Sequence, residues 1–317
     1  MKAVFLDYAT MGPDLDLSPL SALVDEFDVY DVTESDQVAE RIAGSRLVFT
    51  NKIRFTDELL NAAPELGFIG LTATGTDNID LDGAKAAGVV VSNIRAYCTQ
   101  SVVEHVMGTL LMLTHNLGNY AAFTRAGGWQ ASDDFCPLSW PLRQLTDMTL
   151  GIVGFGELGR GVATAAGAFG MKTIVAARPG STGVLTDRVP LETVLRESDV
   201  ISLHCPLNDD TRGIIDRKAL DTMKADAFLI NTARGALIDT QALAEALKAG
   251  DIAGAAIDVL PEEPPVNGDP LLDYAGDNLI VTPHIAWATR EARQNAITEL
   301  ALNTRAFLAG ESRNRVV

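Results

Sequence analysis

Gly154, Gly156 and Gly159 stand at G-x-G-x-x-G spacing, directly after the apolar run TLGIV and at the opening of an Ala-rich stretch of helical pattern. The spacing alone is weak; its place between a strand-like run and a helix gives it chemical meaning. There the first glycine permits a tight turn, the second lets the backbone approach a pyrophosphate, and the third lets helix pack on strand. The pyrophosphate lies on the unpaired N–H groups of the helix N-terminus, here around Glu157 and Leu158. In such a unit a carboxylate about 20 residues further on binds the ribose hydroxyls. Ala177 stands at that place, followed by Arg178, with Ser181 and Thr182 close behind. Without the acid a 2′-phosphate is no longer repelled, and a guanidinium donates a two-pronged bond to it. At about 1.5–3 kcal/mol for hydrogen bonds to a charged group, the expected cofactor is NADP(H), preferred roughly 10- to 150-fold, with NAD(H) possible.

Reduction or oxidation of a hydroxy acid needs, besides the dinucleotide, a cation for the carboxylate, a proton donor for the carbonyl and a group that tunes the donor. Arg234, in NTARG just past the run AFLI, has the planar fork that suits a carboxylate. The four histidines are His105, His115, His204 and His284. His105 and His115 fall in or at the end of an apolar helix and read as structural. His204 ends the run VISL before Cys205-Pro206, lining the cofactor cleft. His284 follows NLIV at a strand's C-terminal end, the ligand-facing edge of an open α/β sheet. Glu263 can pair with His284 and keep it protonated near neutral pH; Glu262 is an equal rival at this point.

These residues need a scaffold, and the chain's 317 residues exceed what one core usually serves, so two domains are expected. Runs AVFL, RLVFT, GFIGL and VVVS alternate with helical stretches at 20–26 and 56–63, a parallel sheet wound with helices. After a loop at 127–147, rich in Trp, Pro and acids, six further strands (TLGIVGF, KTIVAA, DVISLH, AFLINT, IAGAAIDV, NLIVTP) alternate with helices at 191–197, 218–223 and 240–249. Six is the number in a complete doubly wound dinucleotide domain. A last helix is expected over 289–309. The apolar stretch 102–113 carries Glu104 and His105 and is shorter than about 20 residues, so it reads as a buried helix, with Ser101-x-x-Glu104 as its capping box.

A net charge of −17 disfavours nucleic acid, whose binding needs basic stripes. Three scattered cysteines, Cys98, Cys136 and Cys205, suit neither a disulfide framework nor a metal site. The N-terminus lacks the pattern of a signal peptide, so the expected location is cytoplasmic, with no membrane partner.

The segments GIVGFGELGR, HCPLNDDTRGII, NTARG, AAIDVLPEEP and TPHIAW, in that order, resemble the D-isomer-specific 2-hydroxyacid dehydrogenase family. LTATGTDNIDLDGAKAAGVVVSN and TQSVVEH extend the likeness over nearly the whole chain. Asn51-Lys52 and FCPLSWPLRQL around Trp140 are most similar to its glycerate dehydrogenases, also called hydroxypyruvate or glyoxylate reductases. The resemblance implies Arg234, Glu263 and His284 as the catalytic set, the backbone of Thr74 and Gly75 as holder of the substrate carboxylate, and Asp258 as holder of the nicotinamide carboxamide. It carries further cofactor contacts to His204, Cys205, Pro206, Thr211, Thr232 and Ala233. It implies a Rossmann cofactor domain over 99–288 inserted into a flavodoxin-like substrate domain over 1–98 and 289–317, and a homodimer with the helix from Ser101 at its interface. The implied reaction is reduction of a short 2-oxo acid to its D-hydroxy acid. A D-3-phosphoglycerate dehydrogenase-like enzyme and a nucleotide-sensing corepressor are the alternatives. Ala177 departs from the family's usual acid.

Overall fold

A computed structural model describes residues 1–178 and 187–317. They form two compact units, Met1–Cys98 with Trp287–Val317, and Thr99–Ala286.

In the first unit, β1 (Lys2–Phe5), β2 (Glu26–Val29), β3 (Leu47–Thr50), β4 (Phe68–Leu71) and β5 (Val90–Ser92) make a parallel sheet of order β2-β1-β3-β4-β5. That is the flavodoxin-like winding. β3 and β4 are buried throughout, because helices cover both faces, and so they read as unbroken apolar runs. The sequence reading of a helix over 20–26 is corrected: α1 is Ser18–Ser21, with a proline in its first turn, and β2 begins at Glu26. β2 is an edge strand of alternating acid and apolar residues, and Lys2 Nζ lies 2.9 Å from Asp28 Oδ2. Helices α2 (Val38–Ile42), α3 (Asp57–Asn61) and α4 (Leu81–Ala86) join the strands, while α11 (Arg290–Leu308) returns to the sheet. Ala296, Ile297 and Leu300 of α11 share a core with Phe5, Phe49 and Phe68. A Cβ on Gly70 of β4 would sit 2.4 Å from Leu300 Cδ1, so a glycine there lets the helix approach.

The second unit opens with α5 (Thr99–Thr114) and α6 (Leu117–Arg125). The expected capping box at Ser101 does not form. Thr99 and Gln100 already belong to the helix, so Ser101 lies inside it and its hydroxyl donates to the Ala286 carbonyl at 2.6 Å. Six parallel strands follow, β6 (Thr149–Val153), β7 (Lys172–Val175), β8 (Val200–Leu203), β9 (Phe228–Asn231), β10 (Gly254–Ile257) and β11 (Leu279–Val281), in the order β11-β10-β9-β8-β6-β7. Helices α7 (Glu157–Ala168), α8 (Leu191–Glu197), α9 (Arg217–Thr222) and α10 (Thr240–Ala249) join them. Outside β7, among the described residues, one parallel bridge joins Ala176 to Val189, with Ala177 N–H on Val189 O at 2.8 Å. With that remnant strand, the sheet has the doubly wound nucleotide order, reversing between β6 and β8. No described helix is long and apolar enough to cross a membrane.

Candidate active site

The glycine loop lies at the reversal point of the second unit. Gly154 has φ +97°, and a Cβ on it would fall 2.5 Å from the backbone of His204 and Cys205. A Cβ on Gly159 would fall 2.3 Å from Gly154 O. Both glycines are demanded by the chain packing on itself. Gly156, at the N-cap of α7, is different: a Cβ there would meet nothing within 4 Å. The middle glycine therefore faces open space at a helix N-terminus, where backbone can approach a pyrophosphate. Glu157 in the first turn of α7 accepts a hydrogen bond from Thr99 Oγ1, and Leu158 is half-buried.

Two buried polar atoms at the same sheet edge, His204 Nδ1 and Thr232 Oγ1, have no hydrogen-bond partner among the described residues. Extending the β8–β9 register past Leu203 and Asn231 makes these residues neighbours. Burial pushes the His204 imidazole down to about 4, so it is neutral at ordinary pH; its Nε2 lies 2.8 Å from Ser202 Oγ. Cys205 is buried, which raises its thiol to about 11, and Pro206 is exposed. Thr211 closes the following turn by donating to Pro206 O at 2.7 Å, and Ala233 N–H donates to Asn231 Oδ1 at 3.0 Å. An open glycine cradle and unpaired polar atoms along one sheet edge fit a dinucleotide. At the end of β7, Ala177 is half-buried and Arg178 exposed; Ser181, like Thr182, lies outside the described residues.

Arg234 follows β9 and begins a short helical turn, its Nη1 donating to Ala233 O at 2.7 Å. The next residue fixes its surroundings. A Cβ on Gly235 would lie 2.0 Å from Leu260 C, so the loop after β9 rests on the loop after β10. Leu260 N–H in turn donates to Glu263 Oε1 at 2.9 Å, and Glu263 Oε2 lies 2.8 Å from His284 Nδ1. The three residues implied by the resemblance thus stand on abutting loops at one sheet edge. Glu262 is turned elsewhere, accepting from Asn267 Nδ2 at 2.9 and 3.1 Å, so Glu263 is the histidine's partner.

Asp258 holds the histidine loop. His284 has φ +55° and its N–H donates to Asp258 O at 2.7 Å. The Asp258 carboxylate, with a side chain only 1% exposed, accepts from Ile285 N–H at 2.9 Å, Ala286 N–H at 2.8 Å and Thr282 Oγ1 at 2.5 Å. His105 Nε2 lies 3.9 Å from Asp258 Oδ1. His105, read as structural, lies behind this loop with Nε2 3.3 Å from Thr282 Oγ1. Two residues escaped the sequence reading, Thr282 and Arg188. Thr282 had a signal in its place beside Pro283 and His284; Arg188, whose guanidinium carbon lies 5.0 Å from the Phe155 ring centroid, had none, because its contact depends on the remnant strand.

In the first unit, Thr74 and Gly75 lie in the loop after β4. That loop is tied down by Asn93 Nδ2 donating to Thr74 O at 2.7 Å and Thr74 Oγ1 donating to Ile94 O at 2.9 Å. Their own N–H groups make no hydrogen bond among the described residues.

Residues 107–286 match the family of D-isomer specific 2-hydroxyacid dehydrogenase, NAD binding domain. The chain is 42% identical to a glycerate dehydrogenase of Methylorubrum extorquens, over 95% of this chain and 97% of that one. It is 36% identical to a hydroxypyruvate reductase of Blautia hydrogenotrophica, covering 100% and 99%. A solved acyclic imino acid reductase, in complex with NADPH and D-Arg, superposes with a TM-score of 0.86 at 29% identity, covering 100% of both chains. The chain therefore belongs to the D-isomer-specific 2-hydroxyacid dehydrogenase family, enzymes that use NAD(P).

Proposed function

We propose that this enzyme reduces a short 2-oxo acid of the glyoxylate or hydroxypyruvate type to the D-2-hydroxy acid, with NADPH preferred over NADH. The observation that carries the reading is the Glu263–His284 contact of 2.8 Å beside the Arg234 loop, at the C-terminal edge of a dinucleotide sheet. When bound, the dihydronicotinamide supplies the hydride. Glu263 fixes the imidazole through Nδ1 and leaves Nε2 to pass a proton to the carbonyl oxygen. Arg234 binds and polarises the substrate, and the N–H groups of Thr74 and Gly75 bind its carboxylate. Asp258 orients His284 through the 284–286 backbone and holds the carboxamide.

Support for the substrate class comes from the glycerate dehydrogenase and hydroxypyruvate reductase relatives, and for NADPH from Ala177 with Arg178 and from the NADPH-bound imino acid reductase. Steady-state kinetics with glyoxylate and hydroxypyruvate, each with both nucleotides, tests the reading. The expected kcat/KM is higher with NADPH by roughly 10- to 150-fold. A higher value with NADH removes the cofactor preference; no nucleotide oxidation across a panel of 2-oxo acids removes the activity.

A further inference from the structure

We propose that Arg188 is a second guanidinium for the 2′-phosphate of NADP(H), acting beside Arg178; the proposal rests on the cofactor preference argued above. Val189 pairs with Ala176 on the outer side of β7, through Ala177 N–H to Val189 O at 2.8 Å and Val189 N–H to Val175 O at 3.0 Å. β7 itself lies beside β6. Neighbouring strands are about 4.8 Å apart, so the 188–189 backbone is roughly 10 Å from that of β6. Yet the Arg188 guanidinium carbon stands 5.0 Å from the ring centroid of Phe155, in the glycine loop that follows β6. The side chain therefore lies across the C-terminal end of β7, where Ala177 and Arg178 stand. That strand end is where a doubly wound domain meets the adenosine ribose.

The side chain is also prepared for an anion. It is 23% exposed, and stacking on Phe155 restricts the fork before any ligand arrives. Its ion pair with Asp187 is loose, Nε to Oδ2 at 3.8 Å, and that carboxylate is 75% exposed. The planar guanidinium, whose Nε alone faces Asp187, has the two-pronged geometry that suits a phosphate.

Calorimetric titration of the whole protein with adenosine 2′,5′-bisphosphate and with adenosine 5′-monophosphate isolates the 2′-phosphate without turnover. The wild-type chain should bind the bisphosphate at least about tenfold more tightly. Arg188→Gln should weaken the bisphosphate by about tenfold and leave the monophosphate unchanged, and Arg188→Lys should recover part of the loss. If Arg188→Gln keeps wild-type selectivity, or weakens both ligands equally, the arginine serves only Phe155 and the proposal falls while the NADP(H) reading stands. If the wild-type chain shows no preference for the bisphosphate, the NADP(H) reading itself falls.

Discussion

Two adjacent glutamates show what a single residue decides. Glu262 and Glu263 are chemically equal in the sequence, and only the fold separates them: Leu260 N–H and His284 Nδ1 hold one, Asn267 the other. Glu263→Gln should therefore lower kcat, with Glu262→Gln leaving it unchanged; the reverse pattern would remove Glu263 from the site. His284→Ala should cost about 100- to 10,000-fold in kcat while NADPH binding persists, as a lost general acid predicts. Unchanged turnover excludes it. His204 makes a different prediction. Burial pushes it to about 4 in the folded chain, against 6.5 for an ordinary histidine. Between those values the unfolded chain holds a proton that the folded chain does not, so stability rises with pH across the window. This contribution to stability is intact above 6.5 and is lost as pH falls toward 4, amounting to roughly 3 kcal/mol. His204→Asn should flatten that part of a urea-derived stability curve; an unaltered slope would mean the imidazole is already charged or solvated.

At the scale of the element, one motif divides into two jobs. Gly154 is required by its φ of +97° and by backbone 2.5 Å away, whereas Gly156 has open space before it. Gly154→Ala should lower Tm sharply, because the clash is with backbone that cannot turn aside. Gly156→Ala should leave Tm nearly unchanged and weaken dinucleotide binding, since its Cβ enters the space a pyrophosphate would use. Equal losses of Tm in both variants would refute the division. β8, β9 and β10 of the second unit were legible because a parallel strand covered on both faces is an unbroken apolar run. The edge strand β2, EFDV, was hidden by its alternating acids. Helix α6 was hidden because none of its residues is buried, so no core-facing stripe marks it. Arg188 was illegible for a related reason: a one-residue bridge brings it to Phe155, and no local pattern announces such a bridge.

On the scale of the whole molecule, the sequence order of motifs carried the family, and the resemblance implied a dimer through the helix from Ser101, whereas the apolar face after that helix shows only in the structure. The second unit presents an apolar face on α6 and the loop after it: Phe135 is 93% exposed, Leu138 72%, Trp129 53% and Leu117 52%. A chain of net charge −17 gains nothing in solubility from such a patch, and contiguous exposed apolar surface marks an interaction site. The family resemblance implies a homodimer with the helix from Ser101 at its interface, and we propose that this face, which follows that helix directly in the chain, also contacts the second copy. Phe135 and Leu138 belong to neither the sheet nor the candidate site, so Phe135→Asp with Leu138→Asp should leave the monomer fold intact. Light scattering after size exclusion should then read a dimer for the wild-type chain and a monomer for the double variant, with the far-ultraviolet spectrum unchanged. A double variant that remains dimeric would place the interface elsewhere, and a wild-type monomer would leave this apolar face without its assigned partner.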